Sequence, residues 1–280
     1  MVCVEIVLAG YGEVVVVHVS DLHVECENYS RELEERLIGY LGELRPDIIV
    51  VTGDLTDNGY VHEFRAAIRL ISRFKARRVL AVPGNHDSRN MGYIVFERVF
   101  GTRFPFFCYK GVCIQGVDSS EPDVDDGHIG RLAYDLVAER LRGRGRIRMV
   151  ALHHHLIPVP GTGRERNIPV DAGDFLRVLV ELGVGVVLSG HKHVPWIWSL
   201  NGMLILHAGT ATTYRLKAGI PPSINTLYVR GCEVEVRRLN LQTMREEVVY
   251  QGTPNPTTLD KGYDLANINY DFKLDSTGHS

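Results

Sequence analysis

The chain has 280 residues, of which 45% are apolar and 23% charged, and it carries a formal net charge of −3 at pH 7. It is long enough for one large α/β domain or two small ones, and too apolar for disorder over most of its length. The near-neutral balance argues against polyanion binding as the main task, so nucleic acid is not an expected partner.

Val2–Leu8 reads as an extra edge strand before a Tyr11-Gly12 turn. Val14–Val19 is the first of several β-branched runs of the kind that strands buried on both faces require. Leu33, Leu37, Leu41 and Leu44 then repeat at helical spacing behind Ser30, a plausible N-cap. Ile48–Val51 is the next strand, Phe64, Ile68 and Ile71 mark the next helix, and Val79–Val82 and Val112–Val117 are strands. Leu132, Leu136 and Leu141 predict a helix before the strand Met149–Leu152. Phe175, Leu179 and Leu182 predict another before Val184–Leu188. From Met203 the helices stop. Met203–His207, Thr226–Val229, Val234–Leu239 and Val248–Tyr250, with turns at Asn201-Gly202 and Arg230-Gly231, predict an antiparallel meander completing a second sheet. The alternation implies an α/β protein with layered sheets. Residues 1–250 form one expected domain, and the Pro-, Thr-, Asn- and Asp-rich residues 251–280 read as a polar tail outside it.

The stretch His193–Tyr214, the longest without Asp, Glu, Lys or Arg, contains Pro195, Asn201 and Gly202, and is no apolar membrane helix. The five cysteines (Cys3, Cys26, Cys108, Cys113, Cys232) are scattered without metal-ligand spacing. With no secretory leader, they read as reduced thiols of a cytoplasmic protein. A homodimer is an open expectation, since the sequence does not fix the oligomeric state.

Polar residues follow the buried runs in a pattern. Val14–Val19 leads into Asp21-Leu22-His23, and Ile48–Val51 into Gly53-Asp54. Val79–Val82 leads into Gly84-Asn85-His86-Asp87, Met149–Leu152 into His153-His154-His155, and Val184–Leu188 into Gly190-His191-Lys192-His193. Ligands of open α/β sheets bind at the carboxyl ends of strands. Carboxylate, amide and imidazole donors suit Mn, Fe or Zn, and there are more of them than one ion needs. Two ions about 3.5–4 Å apart would clamp an in-line displacement at phosphorus, with Asp54 placed to bridge them. Gly53, Gly84 and Gly190 are expected to let the backbone turn sharply at these blocks.

These five ordered blocks resemble the calcineurin-like metallophosphoesterase superfamily, over about residues 14 to 240. The resemblance implies a layered αββα sandwich of two mixed β-sheets flanked by helices. It implies two divalent or trivalent transition metal ions (Mn, Fe or Zn) and a small phosphoester substrate attacked in line by a metal-bridging hydroxide. Asp21, His23 and His193 would hold the first ion and Asp54 would bridge, while Asn85, His154 and His191 would complete the second. His86 would act as general acid. His154, the middle His of the triplet, is taken as the ligand, with His153 the alternative. Strand alternation would put His153 and His155 on one face and His154 on the other. The chain also resembles the class III cyclic-nucleotide phosphodiesterase branch, which favours phosphodiesters over the alternatives of phosphomonoesters and nucleotide pyrophosphates. A vestigial, non-catalytic metal-binding scaffold is the non-enzyme alternative.

Other polar residues have bland readings. His18, His62, His128 and His279 read as structural, and His207 as a neighbour of the site. Asp87 could orient His86 or cap the next turn. Arg164 and Arg166 could meet phosphate or lie in an exposed loop. Trp196 and Trp198 could stack a ring or simply pack. Asp118-Ser119 reads as structural support.

Overall fold

The computed structural model describes residues 12–163 and 166–257. The Val2–Leu8 strand, Cys3, Tyr11, Arg164, His279 and most of the expected tail lie outside the described residues.

Two six-stranded sheets face each other. The first has the order β14-β13-β12-β1-β2-β3. Its parallel strands β1 (Val14–Val19), β2 (Ile48–Thr52) and β3 (Arg78–Val82) are joined through helices α1 (Arg31–Leu44) and α2 (Val61–Ile71). The antiparallel strands β12 (Ser223–Arg230), β13 (Glu233–Asn240) and β14 (Arg245–Gly252) extend that sheet from β1. The second sheet has the order β10-β11-β9-β8-β5-β4. In it β5 (Val112–Gly116), β8 (Ile147–Ala151), β9 (Val186–Ser189) and β11 (Met203–His207) are parallel. The edge strands β4 (Phe106–Tyr109) and β10 (Trp196–Leu200) are antiparallel. Helices α4 (Arg131–Leu141) and α5 (Ala172–Glu181) cover this sheet, and α3 (Gly92–Phe100) joins α2 on the first. A small ribbon pairs β6 (Ser120–Glu121) with β7 (Val124–Gly127).

Alternation along the strands builds three apolar layers. Val17, Val19, Ile49 and Val51 face α1 and α2, whereas Val16, Ile48 and Val50 meet Met149, Leu188 and Leu206 between the sheets. Val150, Leu152 and Val187 face α4 and α5. Strands buried on both faces explain the uninterrupted apolar runs, and the layers form the αββα sandwich.

The meander is placed differently from the sequence expectation. Met203–His207 pairs parallel to β9 in the second sheet, while β12–β14 join the first. The free edge of β1 is the physical reason: its backbone needs a partner, and β12 supplies five paired positions from Val14↔Val229 to His18↔Asn225. The Asn201-Gly202 turn does form, with both residues at positive φ (49° and 81°), as a tight hairpin demands. Order extends beyond residue 250, since Asn255 N–H donates to Gly202 O and Thr257 N–H to Asn201 O.

The thiol expectation is corrected. Cys108 and Cys113 stand opposite each other on β4 and β5 and form a disulfide, and Cys232 is also disulfide-bonded. Cys26 alone among the described cysteines is free. Direct cross-strand pairing, invisible in scattered spacing, brings Cys108 and Cys113 together. The inference of a reducing, cytoplasmic compartment loses its premise. No described helix is long and apolar enough to cross a membrane.

Candidate metal centre

The five blocks meet where the carboxyl ends of β1, β2 and β3 face those of β8 and β9. Asp21, His23, Asp54 and His193 form one group of buried ligand atoms. Within it His193 Nε2 lies 3.2 Å from Asp21 Oδ1 and 3.3 Å from His23 Nε2, and His23 Nε2 lies 3.5 Å from Asp54 Oδ2. A second group surrounds His153. Its Nε2 is 3.4 Å from the same Asp54 Oδ2, 3.0 Å from Asn85 Oδ1 and 3.2 Å from His191 Nδ1. Asp54 thus stands between the two groups.

Of the residues expected in the site, His154 is not brought to it. Its Nδ1 is 2.9 Å from Ser119 Oγ and its Nε2 is 3.2 Å from Asp125 O. His153 occupies the central position instead. The alternation argument fails because β8 ends at Ala151 and the His triplet lies beyond the pleated segment.

The outer contacts fix which nitrogens face inward. His153 Nδ1–H donates to Thr52 O at 2.7 Å and His193 Nδ1–H to Arg215 O at 2.6 Å, leaving both Nε2 lone pairs directed at the cluster. His23 Nδ1 lies 3.3 Å from Asp57 Oδ1. Burial alone would raise the Asp54 carboxyl, but the His153, His86 and His23 imidazoles hold it well below the ordinary aspartate range. Burial would likewise lower His153, yet the Asp54 and Asp21 carboxylates raise it to about 9, so the ring keeps a proton on Nε2 that a bound cation would displace to free the lone pair. Burial and the neighbouring His153 lower His154 to about 3.

This donor set fits transition metal ions. Asp21 Oδ1 is buried without a hydrogen bond, and imidazole nitrogens face one another at 3.2–3.3 Å. Converging lone pairs repel unless a cation or shared proton lies among them. The backbone is strained at the same places. Asp21 (φ 53°), His23 (40°), Asp54 (52°), His191 (69°) and His193 (56°) all adopt the left-handed region, at about 1–3 kcal/mol each.

The glycines act differently from expectation. Gly53 is at φ 87°, but Gly84 and Gly190 are not at positive φ. They are needed for close approach: a Cβ on Gly84 would meet the Asp54 carboxylate, and one on Gly190 would meet Ser20 Oγ and Asp21 Oδ2.

His86 sits at the rim, its ring 4.7 Å from that of His23. Its backbone N–H donates to Asp54 Oδ1 at 3.0 Å, and its Nδ1 is 2.6 Å from Asp57 O. Asp87 does not orient it. The Asp87 carboxylate accepts from the backbone N–H groups of Leu55, Thr56 and Gly84 at 2.9–3.1 Å, stapling the β2 and β3 loops together. Burial and the nearby Asp54 push its pKa up to about 7. Asp57, Asp125, Arg89 and Arg215 are neighbours that the motifs do not reveal. Arg89 Nη2 and Asn85 Nδ2 both donate to Asp125 Oδ1, and Arg215 Nη1 donates to Asp57 Oδ1. His207, as expected, is a neighbour and not part of the cluster, its Nδ1 2.7 Å from Ser189 Oγ. Asp118 accepts from Arg103 and Ser120 as structural support.

Known proteins are similar to this chain in sequence and in fold. Residues 14–195 match the family model described as calcineurin-like phosphoesterase. A probable cyclic nucleotide phosphodiesterase of Vesicomyosocius okutanii is 21% identical, over 77% of this chain and 94% of its own. A cAMP/cGMP dual specificity phosphodiesterase of Mycobacterium tuberculosis is 30% identical, over 64% and 61%. A 3',5'-cyclic adenosine monophosphate phosphodiesterase of Haemophilus influenzae is 26% identical, over 78% and 80%. In fold, the chain superposes on a purple acid phosphatase of yellow lupin with a TM-score of 0.69 at 13% identity. That match covers 87% of this chain and about half, 54%, of the phosphatase. The family match spans more than half of the sequence: the chain belongs to the calcineurin-like phosphoesterase family and is a metal-dependent phosphoesterase.

Proposed function

We propose that the chain hydrolyses phosphodiesters, with cyclic nucleotides as the substrate class, at a two-metal centre. Asp21, His23, Asp54 and His193 would hold one ion, and Asp54, Asn85, His153 and His191 the other. His153 here takes the role first given to His154. The observation that carries the reading is the position of Asp54 Oδ2, 3.5 Å from His23 Nε2 and 3.4 Å from His153 Nε2, as a carboxylate shared by two donor sets must be. The donors suit Mn, Fe or Zn. What such ions supply when bound is Lewis acidity, which makes water acidic near neutral pH and neutralises phosphoryl charge.

The protein supplies the rest. His86 Nδ1 lies 2.6 Å from Asp57 O and 2.9 Å from Arg89 Nη1, which orients the ring and leaves Nε2 to deliver a proton to the departing alkoxide. The Asp57 carboxylate lies 3.5 Å from His86 Nδ1, and Arg215 fixes that carboxylate. Asp125 holds the Asn85 amide so that its oxygen, not its nitrogen, faces His153 and His191. The substrate class follows the names of the relatives at 21–30% identity.

The test is hydrolysis of bis-p-nitrophenyl phosphate against p-nitrophenyl phosphate with added manganese, with Asp54→Ala as control. The expected result is a diester preference abolished in Asp54→Ala, followed by turnover of 3',5'-cyclic AMP. A monoester preference would move the reading to a phosphatase. Inertness toward both, with metal bound, would refute the phosphodiesterase reading and favour a scaffold.

A further inference from the structure

A second recess lies outside the metal centre. A cavity of about 630 Å³ opens between β10 and the β13–β14 hairpin, with Trp196, Pro221, Ser223, Arg238, Arg245 and Glu247 in its lining. None of these residues has a part in the chemistry above.

Arg238 is what needs explaining. It stands on β13 with Asn225 opposite on β12 and Glu247 opposite on β14. Its Nε and Nη2 are buried and have no hydrogen-bond partner. Guanidinium does not shed its charge in a protein, so burial without a partner is costly. Glu247 acts on it only through space. Ser223 Oγ, in the same lining, is also buried without a partner. A second carboxylate there, Glu246, is already engaged, by Tyr40 Oη–H at 2.5 Å and by Arg237 at 3.6 Å. One part of the wall is apolar, with Pro195, Ile220, Pro221 and the 37%-exposed Trp196, and Asn240, Thr243 and Arg245 complete it.

The geometry points to a small-molecule site that takes a nucleoside monophosphate: phosphate on Arg238 and Ser223, ring against Trp196, sugar hydroxyls toward Glu247. Each group answers one feature of the lining. Phosphate satisfies a planar guanidinium with paired hydrogen bonds. A heterocycle stacks on indole with little regard to its identity. A free carboxylate accepts from ribose hydroxyls, as acidic residues do in dinucleotide sites. The volume lies within the range of small-molecule pockets. The proposal needs neither metal nor turnover, and stands apart from the phosphodiesterase reading.

The experiment uses the full chain carrying Asp54→Ala, in chelator, so that phosphate cannot be held at the metal centre. The probes are adenosine 5'-monophosphate, ribose 5-phosphate and adenosine, titrated by calorimetry. Trp196 fluorescence gives a second readout in a Trp198→Phe background, because the chain has only two tryptophans. The monophosphate is expected to bind and to quench Trp196, with both fragments at least about tenfold weaker. Arg238→Gln should weaken it about tenfold or more. Arg245→Ala, at an exposed position in the same lining, should weaken it severalfold. The assignment is overturned if the monophosphate does not bind. It is overturned equally if ribose 5-phosphate binds as well as the monophosphate, or if neither arginine variant changes its affinity.

Discussion

Exchanging the two adjacent histidines His153 and His154 for alanine, one at a time, separates the proposed ligand from a packing residue. His153 Nε2 is within 3.0–3.4 Å of Asn85 Oδ1, His191 Nδ1 and Asp54 Oδ2, so on the proposed two-metal reading His153→Ala removes a donor from the second ion. Outer-shell losses alone cost 10–100-fold in metal affinity, and an inner ligand should cost more than about 100-fold. Metal content measured by plasma mass spectrometry should fall from two ions to one. His154→Ala instead loses the contacts with Ser119 and Asp125 O and leaves a hole at a fully buried position. Two neutral hydrogen bonds at about 1 kcal/mol each, plus a cavity term, give about 3 kcal/mol. For a chain of this size that lowers the melting temperature by about 6–12 °C, with both ions retained. Loss of an ion in His154→Ala with full loading in His153→Ala would refute the reasoning.

His86→Ala should keep both ions while its rate falls by about 10²–10⁴-fold, whereas Asp54→Ala should lose metal; equal metal loss in the two would sink this division of labour. Gly84→Ala would drive a methyl group into the Asp54 carboxylate, so metal content should drop and the rate fall more than about tenfold, and unchanged loading would contradict the close-approach argument. Asp171 caps the Ile129 and Gly130 N–H groups and accepts from Tyr134; against the effect of burial, these bonds depress its pKa. Its contribution is therefore full above the ordinary aspartate pKa and is lost as pH falls through the depressed one. The gap in urea midpoint between wild type and Asp171→Asn should shrink from pH 6 to pH 2.5, and a constant gap would count against it. Removing the Cys108–Cys113 bond closes no long loop, with five residues of separation, so Cys108→Ser with Cys113→Ser should cost about 2 kcal/mol or less and leave metal content unchanged.

The sequence was legible where one residue's environment is set locally. Runs such as Val14–Val19 and Ile48–Thr52 are apolar on every side because both sheet faces are covered, so their positions can be read directly. Edge strands were harder. Phe106–Tyr109 and Trp196–Leu200 alternate only loosely, and Val124–Gly127 is mostly exposed. Helix α3 follows the Gly-Asn-His-Asp block and is rich in β-branched and aromatic residues, which hides its helical period. The transfer of β12–β14 to the first sheet depends on pairing with β1, some two hundred residues earlier, and no local pattern encodes that. The ordered Asp, Asn and His blocks gave the site. The ring direction within the His triplet, and the partners Asp57, Asp125 and Arg215, depend on how loops lie across one another.

The proposed ligand set is divided between two sheets: Asp21, His23, Asp54 and Asn85 follow strands of one, while His153, His191 and His193 follow strands of the other. The spacing of the donors is therefore set by the thickness of the apolar layer between them, where Val16 and Ile48 meet Met149 and Leu188. That layer is a gauge block for the chemistry. Trimming one methylene group there would remove little stability, yet could shift one half of the ligand set against the other by a fraction of an ångström. Turnover in this protein should consequently be a finer measure of interior packing than its melting temperature.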